Sequence, residues 1–160
     1  MVHKRVIPKL GEAPKASNPK VSKTMKGNVG KGTKLEKKFI AILEGNFKNT
    51  YLSNVKSLPG TPDIVLSEPR LAIFINGCFW HHCPKCYPGL PKTHTDFWRR
   101  KFVRNEERDK RKIKELKRLG WKVRVFWEHD INRDPDKIIK TLKLRLNNQS
   151  TMGRKTMEKL

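Results

Sequence analysis

The chain has no apolar run near the roughly 20 residues that a membrane-spanning helix needs. No hydrophobic stretch follows its basic first residues, so a secretory leader is not expected either. Cysteine is scarce, with three in 160 residues. The number is odd, and Cys78, Cys83 and Cys86 are closely spaced, which argues against a disulfide scaffold. Metal ligation in a reducing, cytoplasmic setting fits better. Acid is scarce too: 15 Asp and Glu face 37 Lys and Arg, leaving a formal charge of +22. Solubility needs far less, so the excess implies a polyanionic partner, of which nucleic acid is the usual one. Charge alone fits an enzyme acting on nucleic acid and a passive binder equally well.

The chain has room for one domain with one core. Residues 1–32 carry Pro8, Pro14 and Pro19, several glycines and many lysines, without an apolar period. Such a segment buries too little surface to repay its ordering entropy and reads as a disordered basic tail. The folded domain is expected over 33–149, with a frayed C-terminal tail over 150–160.

Thr33-Lys34-Leu35-Glu36 matches a capping box, and Leu35, Phe39, Ile40, Ile42 and Leu43 follow at helical spacing, with Gly45 as the stop. Leu52 to Val55 is a candidate short strand. Leu58-Pro59-Gly60-Thr61-Pro62 is a turn-rich loop. Asp63 to Leu66 reads as a strand. Leu71-Ala72-Ile73-Phe74-Ile75 reads as a central strand buried on both faces, reached by a hairpin through Glu68-Pro69-Arg70. Thr95 or Asp96 should cap a long helix that ends near Leu119, with Gly120 as its stop. Trp121 to Trp127 is a further strand, and a last helix is expected from Pro135 to Asn147. The fold class is therefore α/β in the broad sense: an α+β mixed sheet flanked by helices.

The three cysteines form a C-x4-C-x2-C run, whose C-x2-C half is the tight knuckle that lets two thiolates reach one tetrahedral zinc. The fourth ligand must come from elsewhere. His129, just past the strand ending at Trp127, is the best candidate, and His94 is its competitor. Four protein ligands would make the site closed and structural.

Asp63, just after a Gly-Thr-Pro turn, is placed where a nuclease carboxylate can hold Mg2+. A turn aspartate bonding its own backbone is the alternative. His81 and His82 are adjacent, so on an extended segment they point opposite ways. Either could take a proton from water or ligate zinc. Phe79 and Trp80 could be core or wedges that unstack a base step. Trp98, Lys101 and Asn105 share one helix face, which suits DNA or simply solvent.

Taken together, the blocks Leu58 to Asp63, Phe74 to Cys86, Thr95 to Trp98, Asn105 to Asp109 and Leu119 to Val123 resemble the very short patch repair (Vsr) DNA mismatch endonucleases. The resemblance covers about Thr33 to Asp130. It implies a restriction-endonuclease-like fold with a structural zinc site. It also implies a monomer that acts on mismatched duplex DNA, cutting one strand 5′ of the thymine in a T·G mismatch. By position, Asp63 and the backbone carbonyl of Ile75 match Mg2+ ligands, His81 the histidine that activates water, and Glu36 a helical glutamate near the active site. Phe79, Trp80 and Trp98 match intercalating aromatics, and Lys101 and Asn105 the contacts to the mismatched pair. Cys78 and Cys86 match zinc ligands. Cys83 stands where the family often has histidine, and His129 where it often has cysteine, which keeps four N/S donors for Zn2+. Asn76 stands where a second active-site histidine is common.

Overall fold

The computed structural model describes residues 32–47, 51–86 and 89–144. The expected tails therefore lie outside the described residues, apart from Gly32. So does the end of the helix expected to reach Asn147.

Helix α1, Lys34–Asn46, starts as its capping box requires. The Thr33 hydroxyl accepts the Glu36 N–H at 3.2 Å. The Glu36 carboxylate takes the amide of Gly32 at 2.9 Å, one residue earlier than the usual reciprocal partner, and the Thr33 hydroxyl at 3.1 Å. Gly45 does not end the helix. It is accommodated within the last turn, and the chain leaves at Phe47 in an extended conformation.

Strands β1 (Leu52–Ser53), β2 (Ile64–Leu66), β3 (Leu71–Asn76) and β4 (Lys122–Trp127) form one sheet in the order β1-β2-β3-β4. The first three are antiparallel neighbours, whereas β3 and β4 run parallel. A parallel pair needs a crossover, which here contains the 24-residue helix α2, Thr95–Arg118.

As the continuous apolar run implied, β3 is buried on both faces. Leu71 and Ile73 pack with Phe39, Leu43, Ile131, Ile138 and Leu142, from α1 and from the helices that follow β4. Ala72 and Phe74 pack on the other side with Leu116 of α2. The sheet is thus a middle layer between helices, as two-sided burial of a period-2 strand demands.

Both ends of α2 repay inspection. Neither Thr95 nor Asp96 caps it. His94 occupies that position in a left-handed conformation without a side-chain capping bond. The Thr95 hydroxyl instead donates to the Pro91 carbonyl at 3.1 Å, and Asp96 pairs with Arg99. At the other end Gly120, at φ +80°, lets its own N–H reach the Lys117 carbonyl and the Trp121 N–H reach that of Leu116. These are the two bonds of a Schellman motif, completed by contact between Trp121 and the Leu116 cluster.

After β4 the chain forms a short helix that the sequence pattern did not suggest, α3, Glu128–Arg133. A further helix, α4, spans 135–144.

Candidate active site and metal corner

The parallel pairing of β3 with β4 fixes one corner of the molecule. Asn76 and Trp127 are partners at the ends of the two strands. Parallel strands deliver their next residues to the same edge, so Cys78 and His129, each two residues further on, meet although 51 positions apart. His129 lies in the first turn of α3.

Its Nδ1 lies 3.2, 3.6 and 3.3 Å from the sulfurs of Cys78, Cys83 and Cys86, and the sulfurs of Cys86 and Cys78 are 3.6 Å apart. Zinc bond lengths of about 2.3 Å to sulfur and 2.0 Å to nitrogen give tetrahedral edges of about 3.5–3.8 Å. The four donors, all within 4.8 Å of one another, could therefore hold zinc. His94, the competing candidate, is not among them.

The metal-free electrostatics fit a cation. Burial pushes the Cys78 thiol up to about 12. Burial opposes ionisation of Cys83 as well, but the amides of Cys86 and Lys85 and the neighbouring thiols outweigh it and lower its pKa. A divalent ion would supply the positive charge that three neighbouring thiolates need. On the far side of the imidazole, Asp130 Oδ1 lies 3.3 Å from His129 Nε2. The contact is off the line of a good hydrogen bond. A carboxylate behind a ligating histidine is a usual orienting partner. Glu128 braces the knuckle's first residue by accepting the Cys78 N–H at 3.0 Å.

The segment between the strand and the knuckle is a turn rather than extended chain. His81 N–H bonds to the Gly77 carbonyl, His82 to Phe79 and Cys83 to Cys78. His82 has φ +49°. The two histidines still diverge, because the chain reverses between them. His82 stacks on Phe102, ring centroids 4.9 Å apart, while His81 Nδ1 meets Asp109 Oδ2 at 2.5 Å.

Asp109 lies within one of the blocks that carry the family resemblance, but nothing in the sequence pattern assigns it a role. Burial would raise its pKa, but the bonds to His81 and Lys112 prevail and lower it, so it is ionised and acts as an acceptor. Lys112 was missed entirely. Its ammonium lies 2.9 Å from Asp109 Oδ1, again without hydrogen-bond alignment, so the contact is ionic rather than directional.

Asp63 lies at the start of β2. Its Oδ2 accepts the Ile75 N–H at 2.7 Å, beyond the point where the ladder between β2 and β3 stops. The turn aspartate thus bonds a neighbouring strand rather than its own loop. A residue in an extended strand presents N–H and C=O to the same side, so the Ile75 carbonyl faces the Asp63 edge as well. Burial raises the Asp63 carboxyl to about 6. The Ile75 amide, Lys112 and His81 oppose this rise and Glu36 adds to it. Glu36 itself is buried. Two close carboxylates, one destabilised by burial, suit a hard divalent cation.

The aromatics gather in a cluster of their own, with Phe79, Trp80, Phe97, Trp98 and Phe102 in mutual contact. The Trp98–Lys101–Asn105 face is therefore covered rather than solvated. The Lys101 ammonium lies 5.1 Å from the Trp80 and Trp98 ring centroids, and burial lowers its pKa. Asn105 Nδ2 donates to the Trp80 carbonyl at 2.8 Å.

Sequence comparison completes this picture. The family described as DNA mismatch endonuclease Vsr matches residues 15–87. The chain is 43% identical over 108 residues to the DNA mismatch endonuclease Vsr of Escherichia coli K12, covering 67% of this chain and 68% of that protein. The chain belongs to the Vsr family.

Two further relatives are named type II nicking enzymes. V.NmeAIP of Neisseria meningitidis serogroup A is 46% identical over 83 residues, 51% of this chain and 58% of that protein. V.NaeI of Lentzea aerocolonigenes is 34% identical over 128 residues, 78% and 76% respectively. Within this Vsr chain, the two positions expected to depart from the family pattern, Cys83 and His129, supply two of the four donors. Asn76 is buried at the end of β3. Among the described residues no helix is long and apolar enough to cross a membrane.

Proposed function

We propose that the protein is a Mg2+-dependent endonuclease that nicks one strand of duplex DNA 5′ of the thymine in a T·G mismatch and so initiates repair. It would act as a monomer, on a restriction-endonuclease-like fold braced by structural zinc. One observation carries the reading: in a Vsr-family chain, the half-buried Asp109 carboxylate holds the His81 imidazole, and Asp63 feels the charges of both His81 and Glu36.

His81 is the general base. Asp109, ionised, accepts a hydrogen bond from Nδ1–H and so leaves the Nε2 lone pair directed away from it, ready to accept a proton from water. Asp63 and the Ile75 carbonyl would hold Mg2+, with Glu36 adding negative charge nearby. The chemistry supplied by a divalent ion at these residues would be polarisation of the phosphate and stabilisation of the departing oxygen. Phe79, Trp80 and Trp98 insert beside the mismatch, where ring faces can replace lost base stacking. Lys101 and Asn105 contact the mismatched pair. Cys78, Cys83, Cys86 and His129 hold zinc and fix the turn that carries His81.

The test is cleavage of labelled T·G and T·A duplexes with Mg2+ by the protein and by His81→Ala. Strand-specific nicking of T·G alone, reduced at least 100-fold in the variant, is expected. Equal cutting of both duplexes removes mismatch specificity, and equal cutting by both proteins removes the role of His81. The relatives named as nicking enzymes of several species favour one second reading, the same chemistry on another mismatch or sequence. A panel of mismatched duplexes separates the two. A zinc-braced module that only binds nucleic acid would show no Asp63-dependent cleavage.

A further inference from the structure

Lys112 differs from the cations around it. Exposed lysines and arginines dominate the outer side of α2, such as Lys110 with its ammonium pair to Glu106. The Lys112 side chain is folded inward and only 12% exposed. Its ammonium lies 2.9 Å from Asp109 Oδ1 and 4.0 Å from the centroid of the Phe74 ring. Phe74 directly precedes Ile75, whose amide holds Asp63.

The aliphatic stem is gripped from the other side. A Cβ at Gly60 would fall 2.6 Å from Lys112 Cβ and 2.7 Å from its Cδ. Gly60 has φ +74° and is the third residue of the Leu58–Thr61 turn that leads to Asp63, so the loop presenting that carboxylate closes directly on the Lys112 stem. One side chain thus touches the loop that leads to Asp63, the strand that holds it and the acid that holds His81.

A buried charge is costly, and an apolar side chain could fill such a gap with less desolvation. A spacer alone does not need an ammonium. We infer that Lys112 is the positioning cation of this site: it anchors Asp109 against His81 and offsets the negative charge around Asp63. Losing its charge therefore slows nicking while strengthening divalent-cation binding. Opposite signs follow because the two effects are separate. Without the ammonium Asp109 is tethered by His81 alone, so the base is held less well. The pocket then also carries one positive charge fewer, and a cation entering it meets less repulsion. This rests on the endonuclease reading above.

The test uses Lys112→Met, which keeps the stem and removes the charge, and Lys112→Arg, which restores it. In Lys112→Met the nicking rate at saturating Mg2+ should fall about 10-fold or more, as for other outer-shell partners. The half-saturating Mg2+ concentration should also fall, by about 3-fold, whereas Lys112→Arg should recover most of the rate. Independently of activity, Mn2+ binding to the zinc-loaded protein without DNA, read from the free-ion electron paramagnetic resonance signal, should tighten in Lys112→Met. Should that variant not fold, Lys112→Gln carries the same measurements. Loss of rate together with weaker Mn2+ binding, or no change in either, overturns the inference and leaves Lys112 a strut. If the wild type nicks no duplex, the endonuclease reading fails, and the Mn2+ measurement still decides Lys112.

Discussion

Two clusters of ionisable groups flank the turn 77–86, and they solve the same problem in opposite ways. The metal corner gathers three thiols and one imidazole within 4.8 Å of one another. The active corner sets Asp63, Glu36 and Asp109 against His81 and Lys112. The first depends on an ion for its charge balance. The second is largely compensated by its own side chains and leaves only the edge between Asp63 and Glu36 in need of a cation. The difference teaches that an ion at the first corner would belong to the fold, whereas one at the second would belong to the proposed reaction.

The largest expected effect breaks the metal corner. Cys83 is fully buried, and Cys83→Ser replaces a strong zinc ligand with a poor one. The melting temperature should fall by about 10 °C or more, with loss of tightly held zinc, because binding energy at a structural site is folding energy. Calorimetry and metal analysis check this. Omitting Mg2+ from the wild type, by contrast, should leave the melting temperature almost unchanged, and an equal fall there would erase the contrast between the corners.

Next comes the dyad. Asp109→Asn keeps the shape but offers His81 a neutral partner that can present the wrong tautomer. Nicking should fall about 100-fold or more, with zinc content intact. A rate near wild type in a single-turnover assay would show that His81 does not need its carboxylate.

The smallest effect sharpens the comparison through pH. The folded-state pKa of Asp63 is raised, by burial above all, from 3.8 to about 6. The folded protein therefore binds the proton more tightly than the unfolded chain does. Its stability falls as pH rises from about 4 to 6, and the cost persists above that window. Asp63→Asn keeps an acceptor for the Ile75 amide and removes the charge. At pH 8 without Mg2+ it should be more stable than wild type by about 1 kcal/mol, discounted for partial exposure, though inactive. At pH 4 the gap should close. Chemical denaturation at the two pH values measures it, and a variant less stable at both would show that the Asp63 carboxylate supports the fold.

How much was legible follows the same division. The capping box, the doubly buried β3 and the Gly120 stop are local patterns, and each has a physical signature within a few residues. So does the C-x2-C knuckle. His129 is legible only by its place just past the strand ending at Trp127, with His94 as a competitor, because no pattern marks α3, which is six residues long and has no side-chain cap. Asp109 and Lys112 stayed hidden because an acid and a lysine three apart on a charged helix look like a surface pair. Their direction could be read only from the inward face of α2. That face runs through Trp98, Asn105, Asp109, Lys112 and Leu116, and its polar members erase the apolar periodicity. The pair was invisible because it places charge where the core pattern calls for none.

The parallel register of Asn76 on Trp127 carries a consequence for how the chain matures. Three zinc ligands are made early and the fourth 43 residues after the last of them. They meet only when β4 docks against β3, a late, long-range contact in a sheet of this topology. A chain that has not yet closed its sheet carries three reactive sulfurs with no fourth donor, and a chain that has closed it can hide them behind the metal. Thiol reactivity in the knuckle would then report how far the sheet has closed, with a bound ion as the latch that ends it.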